Sequence, residues 1–142
     1  FPLMCVRMPN ATLSDEDVRT FVIEQRNVLL RRERHAVLAD ATHARAVTPL
    51  QRKLLAEWLE EAEPLNRAYT VCIAVVINNA LIRGAMTAVL WLKTPASPTK
   101  VFGTVEEAAT WVLAELRRAG VANLGPVEAY VASLDAPRRA AR

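Results

Sequence analysis

Residues 70–92 read TVCIAVVINNALIRGAMTAVLWL, and the only charge in this segment is at Arg83. Its length and apolarity suit either one transmembrane helix or two buried elements of a globular domain. A spanning helix would place Asn78, Asn79 and Arg83 near the bilayer centre, where an arginine alone costs roughly 2.5 to 3.5 kcal/mol. Residues 71–77 favour a strand buried on both faces, and the two asparagines favour a turn and a helix cap. We therefore predict strand, turn and helix, and no transmembrane segment.

Short apolar runs alternate with longer segments of helical period on both sides of this stretch. The predicted strands are residues 3–8, 35–40, 71–77 and 100–102, and the predicted helices follow Ser14, Thr48, Asn79 and Thr104. Strands joined by single helices run parallel, with the helices on the faces of the sheet. The pattern predicts one α/β domain over residues 1–120, with four mostly parallel strands, or five if one more precedes them, covered by four helices.

The remaining residues, 121–142, are predicted to form a C-terminal appendage. A short helix is expected over residues 126–134, because Pro126 suits a first helical turn, and the basic end is expected to fray.

Three of the helices have explicit start signals. The spacing of a capping box, in which each side chain bonds the backbone N–H of the other residue, is found in Ser14 with Asp17, in Thr48 with Gln51, and in Thr104 with Glu107. Pro64 is expected to end or kink the second helix.

Composition excludes several classes of protein. The chain has 142 residues, 52% of them hydrophobic, and its 18 basic residues exceed its 15 acidic ones by too little to predict a nucleic-acid partner. Arginines at the end of the first helix and of the chain are interpreted as solvated faces. Cys5 and Cys72 lie in apolar runs, as free thiols of a reducing compartment do, so a cytoplasmic location is expected.

A family resemblance follows from this order of elements. With HAVLADATHARAVTPLQRKLL at residues 35–55 and VFGTVEEAATWVLAEL at residues 101–116, the chain resembles the STAS domain of anti-sigma-factor antagonists, especially their SpoIIAA-like bacterial relatives. The likeness covers residues 3–119. It implies a STAS-like sandwich, a further strand before the first, and a partner such as a regulatory kinase, a sigma-factor regulator or a second copy.

The resemblance also implies a place for a phosphorylation switch. In the antagonists a strand ending in Asp leads to a helix whose first turn carries a phosphorylatable serine, in the pattern Asp-Ser-Ser-Gly. Here Asp40 ends the strand and Thr48 begins the helix, while the serine pair and the glycine are missing. Thr48 is thus the candidate phosphate acceptor, because a helix N-terminus favours an anion. The alternative is that its hydroxyl only caps the helix.

Catalysis is not predicted. His35 and His43 are the only histidines, and neither has cysteine or carboxylate neighbours at metal-ligand spacing. Asp40 stands at a strand's carboxyl end, where α/β proteins place ligands, but a lone carboxylate there is more often structural. We expect a protein that is not an enzyme, with no metal and no cofactor.

The third helix is apolar almost all the way round. One face must cover the sheet, and the other is either overlaid by the second helix or the C-terminal segment, or meets a partner. Partner-binding residues are predicted at Arg83, Met86, Leu90 and Trp91, because arginine, methionine and aromatic side chains are enriched at interfaces.

Two functions are open at this point. The first is a non-catalytic regulatory or scaffolding module that binds a protein partner or a second copy through the apolar helix. The alternative is a carrier of a small apolar ligand or lipid, in which Trp58, Trp91 and Trp111 line a pocket.

Overall fold

The computed structural model describes residues 1–92 and 95–140, and the side chains of Trp91 and of residues 136–140 lie outside what it describes. The strands are β1 (Leu3–Arg7), β2 (His35–Asp40), β3 (Thr70–Val76) and β4 (Thr99–Phe102), and the helices are α1 (Asp15–Leu30), α2 (Pro49–Tyr69), α3 (Ala80–Leu92), α4 (Val105–Arg118) and α5 (Gly125–Ala140). The segment that opened the sequence analysis is therefore β3 followed by α3, as predicted. Among the described residues no helix has the length and apolarity to cross a membrane.

The four strands form one sheet in the order β1-β2-β3-β4, and every neighbouring pair is parallel. Met4, Val37 and Ile73 are in register across the first three strands. The predicted fold class, a single α/β domain with a parallel sheet and surrounding helices, is confirmed.

One face of the sheet is tightly closed by α4. Ala108 and Ala109 are fully buried there, and their small side chains let the helix approach the strands closely. Between α4 and this face of the sheet, which we call the α4 face, the buried side chains form one hydrophobic cluster: Ala36, Leu38, Cys72, Ala74, Val76, Ala108, Ala109, Val112, Leu113, Leu116 and Val127. This cluster is the larger hydrophobic core of the domain.

The opposite face, beneath α1 and α2, is only half closed. Along β3, buried residues alternate with the half-buried Val71, Ile73 and Val75. The prediction that β3 is buried on both faces is therefore wrong for the second face. The reason is that α1 and α2 pack chiefly on each other, through Leu29, Trp58 and Ala62, and only lightly on the strands.

The predicted caps of α1, α2 and α4 are confirmed, but only two of the three expected capping boxes are complete. Ser14 and Asp17 form a capping box at α1, and Thr48 and Gln51 form one at α2. At α4 the hydroxyl oxygen of Thr104 accepts from the backbone N–H of Glu107 at 3.3 Å, without a return bond from the Glu107 side chain. Of the two effects expected of Pro64, an end or a kink, the end is wrong, because α2 continues through Pro64 to Tyr69. Pro64 is exposed, so its ring faces water, while residues on both sides of it keep α2 packed.

The C-terminal helix α5 is longer than predicted and joins the core. It packs on α4, and Val127 is buried in the cluster of the α4 face. Gly120, at φ 68°, ends α4 and allows the sharp turn toward α5. The predicted frayed basic end at Arg138, Arg139 and Arg142 falls on side chains outside the described part of the chain.

Candidate functional site

The helix α3 exposes a continuous apolar surface. Its exposed side chains are Leu81 at 83%, Ile82 at 55%, Met86 at 40%, Val89 at 60% and Leu92 at 89% of their full accessible area. They recur at helical spacing, so they lie on one side of α3. We call these five residues the α3 face. Large apolar side chains in such a cluster are uncommon on a protein surface unless they meet a partner.

The inner side of α3 leans on the edge strand β4. Thr87 and Leu90 are half buried there and line a groove of about 640 Å³, whose other wall is β4 with the residues before it. The groove wall includes Thr99 and Val101. The groove and the α3 face are therefore adjacent parts of one apolar region at the β4 edge of the sheet.

Arg83, the only charged residue of α3, is held by hydrogen bonds to the backbone. Its Nη1 donates hydrogen bonds to the carbonyl oxygens of Ile77, at 2.8 Å, and of Asn78, at 3.3 Å. A Cβ on Gly103 would lie 3.3 Å from the same nitrogen, so the glycine leaves room for the guanidinium. Arg83 thus satisfies carbonyls that follow β3, and no charged side chain points out from the α3 face.

The structure places the four predicted partner-binding residues in different settings. Met86 belongs to the α3 face, whereas Arg83 and Leu90 lie on the inner side of the helix. The side chain of Trp91 lies outside the described residues. Sequence reasoning missed Leu81, Ile82, Val89 and Leu92, because it selected by residue type. The helical period would have placed these with Met86.

The alternative in which the second helix or the C-terminal segment overlies α3 is not met by the described residues. The helix α5 packs on α4, and α2 packs on α1. The principal contact of α3 is β4, and its outward side chains remain in solvent. The α3 face is therefore open to another molecule.

The predicted switch residues make local structural contacts. Asp40 accepts a hydrogen bond from the backbone N–H of Thr42 at 3.1 Å and lies 3.7 Å from Arg7. Thr48 is exposed, and its hydroxyl oxygen accepts from the backbone N–H of Gln51 at 3.2 Å. Capping accounts for the position of Thr48, and it does not conflict with phosphorylation.

The titratable core groups are held neutral. Burial lowers the pKa of His35 below its usual 6.5, and burial raises the pKa of Cys72 to about 12. Among the described residues no three His, Cys, Asp or Glu side chains lie together where they could hold a metal ion.

Of the three tryptophans expected to line one pocket, Trp58 and Trp111 are separated, and the side chain of Trp91 lies outside the described residues. Trp58, on α2, lines a cavity beneath the helix pair. Trp111, on α4, packs against Phe102, with ring centroids 5.4 Å apart. Only Trp58 among the described tryptophan side chains therefore borders that cavity.

Comparisons of this chain with protein-family profiles, with curated proteins and with solved structures found no match.

Proposed function

We propose that this protein is a non-catalytic interaction module that associates with a second copy of itself through the α3 face. The observation that carries the proposal is an exposed helix surface of five large apolar side chains with no charge among them. They expose on the order of 600 Å² of apolar area, near the top of the range for the largest patch of a monomer and close to the ~800 Å² that each partner gives to a stable interface.

The absence of charge favours a second copy over an unrelated partner. In a twofold contact each residue approaches its own symmetry mate or its neighbours, so a charge would meet a like charge. A different protein is commonly selected by complementary charges, and the α3 face carries none. Small residues on the exposed side of the helix, Gly84, Ala85 and Ala88, would let two such helices approach closely.

Pairing through the strand edge is disfavoured. β4 is an edge strand of only four residues and carries the exposed Lys100, both of which are devices that discourage edge-to-edge pairing. The proposed contact is therefore between helices.

The resemblance to the STAS domain supports the same function. That resemblance implies a regulatory or scaffolding module whose work is to bind protein. The α/β layout found here is compatible with such a domain, and the contacts of Asp40 and Thr48 supply no catalytic arrangement. An associated pair could in turn present other surfaces to a regulatory partner.

The test is solution mass by light scattering over a range of concentrations, on the wild type and on Val89→Asp. The wild type is expected to reach twice the mass of the chain. Val89→Asp is expected to raise the dissociation constant at least roughly tenfold, because two carboxylates would be desolvated at the contact.

Ile23→Asp is the matched control, because Ile23 is 53% exposed at mid-helix in α1. It should dimerise like the wild type. A wild type that stays monomeric at every concentration, or two aspartate variants that behave alike, would refute the proposal. If the wild type is monomeric but forms a complex with a lipid or another protein, and Val89→Asp abolishes that complex, the proposal is refuted and the α3 face binds that other molecule instead.

A further inference from the structure

A cavity of about 230 Å³ lies between the α1–α2 pair and the sheet. Its floor includes Val37 and Ile73, and its walls include Val28 of α1 and Trp58 of α2. It lies away from the α3 face, so its chemistry is independent of the proposed function.

The cavity exists because the two helices pack on each other more closely than on the strands. Val37 and Ile73 lie beneath helices and yet are only half buried. Apolar walls that face a gap lose the dispersion contacts that a packed interior supplies. A ligand of matching size would restore those contacts, which makes occupancy favourable.

His35 gives the cavity wall a buried hydrogen-bond acceptor. The residue is 1% exposed, and its Nδ1 lies 2.9 Å from the carbonyl oxygen of Glu33. A carbonyl only accepts, so Nδ1 carries the ring proton and Nε2 is an acceptor in the neutral ring. Because burial lowers its pKa, the ring is neutral at pH 7.

Gln25 is a second polar group of the wall. Its Nε2 lies 3.5 Å from the sulfur of Met4, which is a weak hydrogen-bond acceptor. The side-chain amide of Gln25 can therefore exchange this contact for a hydrogen bond to a stronger acceptor on a ligand. Asn66 is fixed differently, because its Oδ1 accepts from the hydroxyl of Thr70 at 2.9 Å.

The lining residues found in the described part of the chain include no charged side chain. Burial of a charged ligand without a countercharge is costly, so the cavity selects a neutral ligand. A cavity of about 150 Å³ is known to accept benzene, so this larger one has room for a substituted ring. Phe21 and Trp58 supply aromatic walls, which favour a ring in offset or edge-on contact.

We infer that this cavity binds a small, neutral, mainly aromatic ligand that carries one hydroxyl or N–H, and that this group donates a hydrogen bond to Nε2 of His35. The site is on the half-closed face of the sheet and requires no change in the fold.

The first test compares two ligands on the unmodified protein. Calorimetric titration with para-cresol is expected to show saturable binding, with an affinity roughly tenfold higher than that of 4-methylanisole, because the ether cannot donate to His35. Since no variant is involved, this comparison does not depend on whether a substituted chain folds. Failure of both ligands to bind, or equal affinities, would overturn the inference.

The second test fills the cavity. Val28→Phe is expected to abolish para-cresol binding, whereas Ile23→Phe, a similar enlargement at an exposed position of the same helix, should leave it unchanged. Val89→Asp should also leave it unchanged, which separates this site from the α3 face. Binding that survives Val28→Phe, or is lost in Val89→Asp, would place the ligand elsewhere and contradict the inference.

Discussion

Leu116→Ala is expected to lower the free energy of unfolding by about 3 kcal/mol, which would make it one of the two most damaging changes considered for this protein. Leu116 is fully buried in the cluster between α4 and the sheet. Removing its branched end costs the transfer free energy of the lost groups and leaves a cavity that close-packed neighbours cannot fill. Urea denaturation followed by circular dichroism measures the change.

Leu55→Ala is the informative companion to Leu116→Ala. Leu55 is half buried and lines the cavity beneath α1 and α2, so its neighbours already lack full packing. We expect a loss of roughly 1 kcal/mol, since the cost of truncation depends on burial and on the surrounding packing. If the two substitutions had equal effects, the difference in packing between the two faces of the sheet would be contradicted.

Val127→Asp is expected to destabilise the protein by about 3 kcal/mol or to release α5 from α4. Val127 is buried among residues of α4 and the sheet, so the substitution places an unpaired carboxylate in an apolar cluster. The protonated acid is easier to bury than the charged one, so the damage should lessen at low pH. Thermal unfolding and the protease sensitivity of the C-terminal segment report the two outcomes.

Ala129→Asp is the control for this prediction, because Ala129 is exposed on the same helix. It introduces the same charge at a position that faces water, and the expected loss is at most about 0.7 kcal/mol, which is the helix-propensity cost of replacing alanine by aspartate. A Val127→Asp protein as stable as Ala129→Asp would mean that α5 does not contribute to the core.

Much of the fold was predictable from local signals. Ser14 and Thr48 mark helix starts through a capping pattern that operates within three residues, and such short-range chemistry is written in the sequence. Asn79 is a similar case, since its side chain accepts from the backbone N–H groups of Leu81 and Ile82. This cap is why residues 70–92 divide into a strand and a helix.

Other features depended on contacts between distant elements. Pro64 carries a local signal to stop, but packing on both sides of it holds α2 together, and tertiary contacts outweigh local propensity there. The half-open face of β3 could not be read from its apolar residues, because their burial depends on how closely α1 and α2 approach. The same β3 sequence is compatible with a close and with a more distant placement of α1 and α2 on the sheet.

In the candidate site, too, some features followed from the local sequence and others from contacts between distant elements. That α3 is unusually apolar was evident from composition, yet which side would remain uncovered depended on the placement of α2 and α5. Leu90 was selected as an outward residue and instead lines the groove against β4. Val89, its neighbour in the chain, is on the exposed side.

Cross-linking at Val89 tests the central claim, that α3 meets α3 of a second copy, most directly. In a Cys5→Ser background, which removes the exposed native thiol and leaves the buried Cys72, Val89→Cys is treated with a mild oxidant. A disulfide requires Cα atoms within about 7 Å, so it reports close approach of the two helices. We predict a covalent dimer from Val89→Cys and little from Ile23→Cys at the same concentration. Equal yields from the two positions, or none from Val89→Cys, would contradict the account.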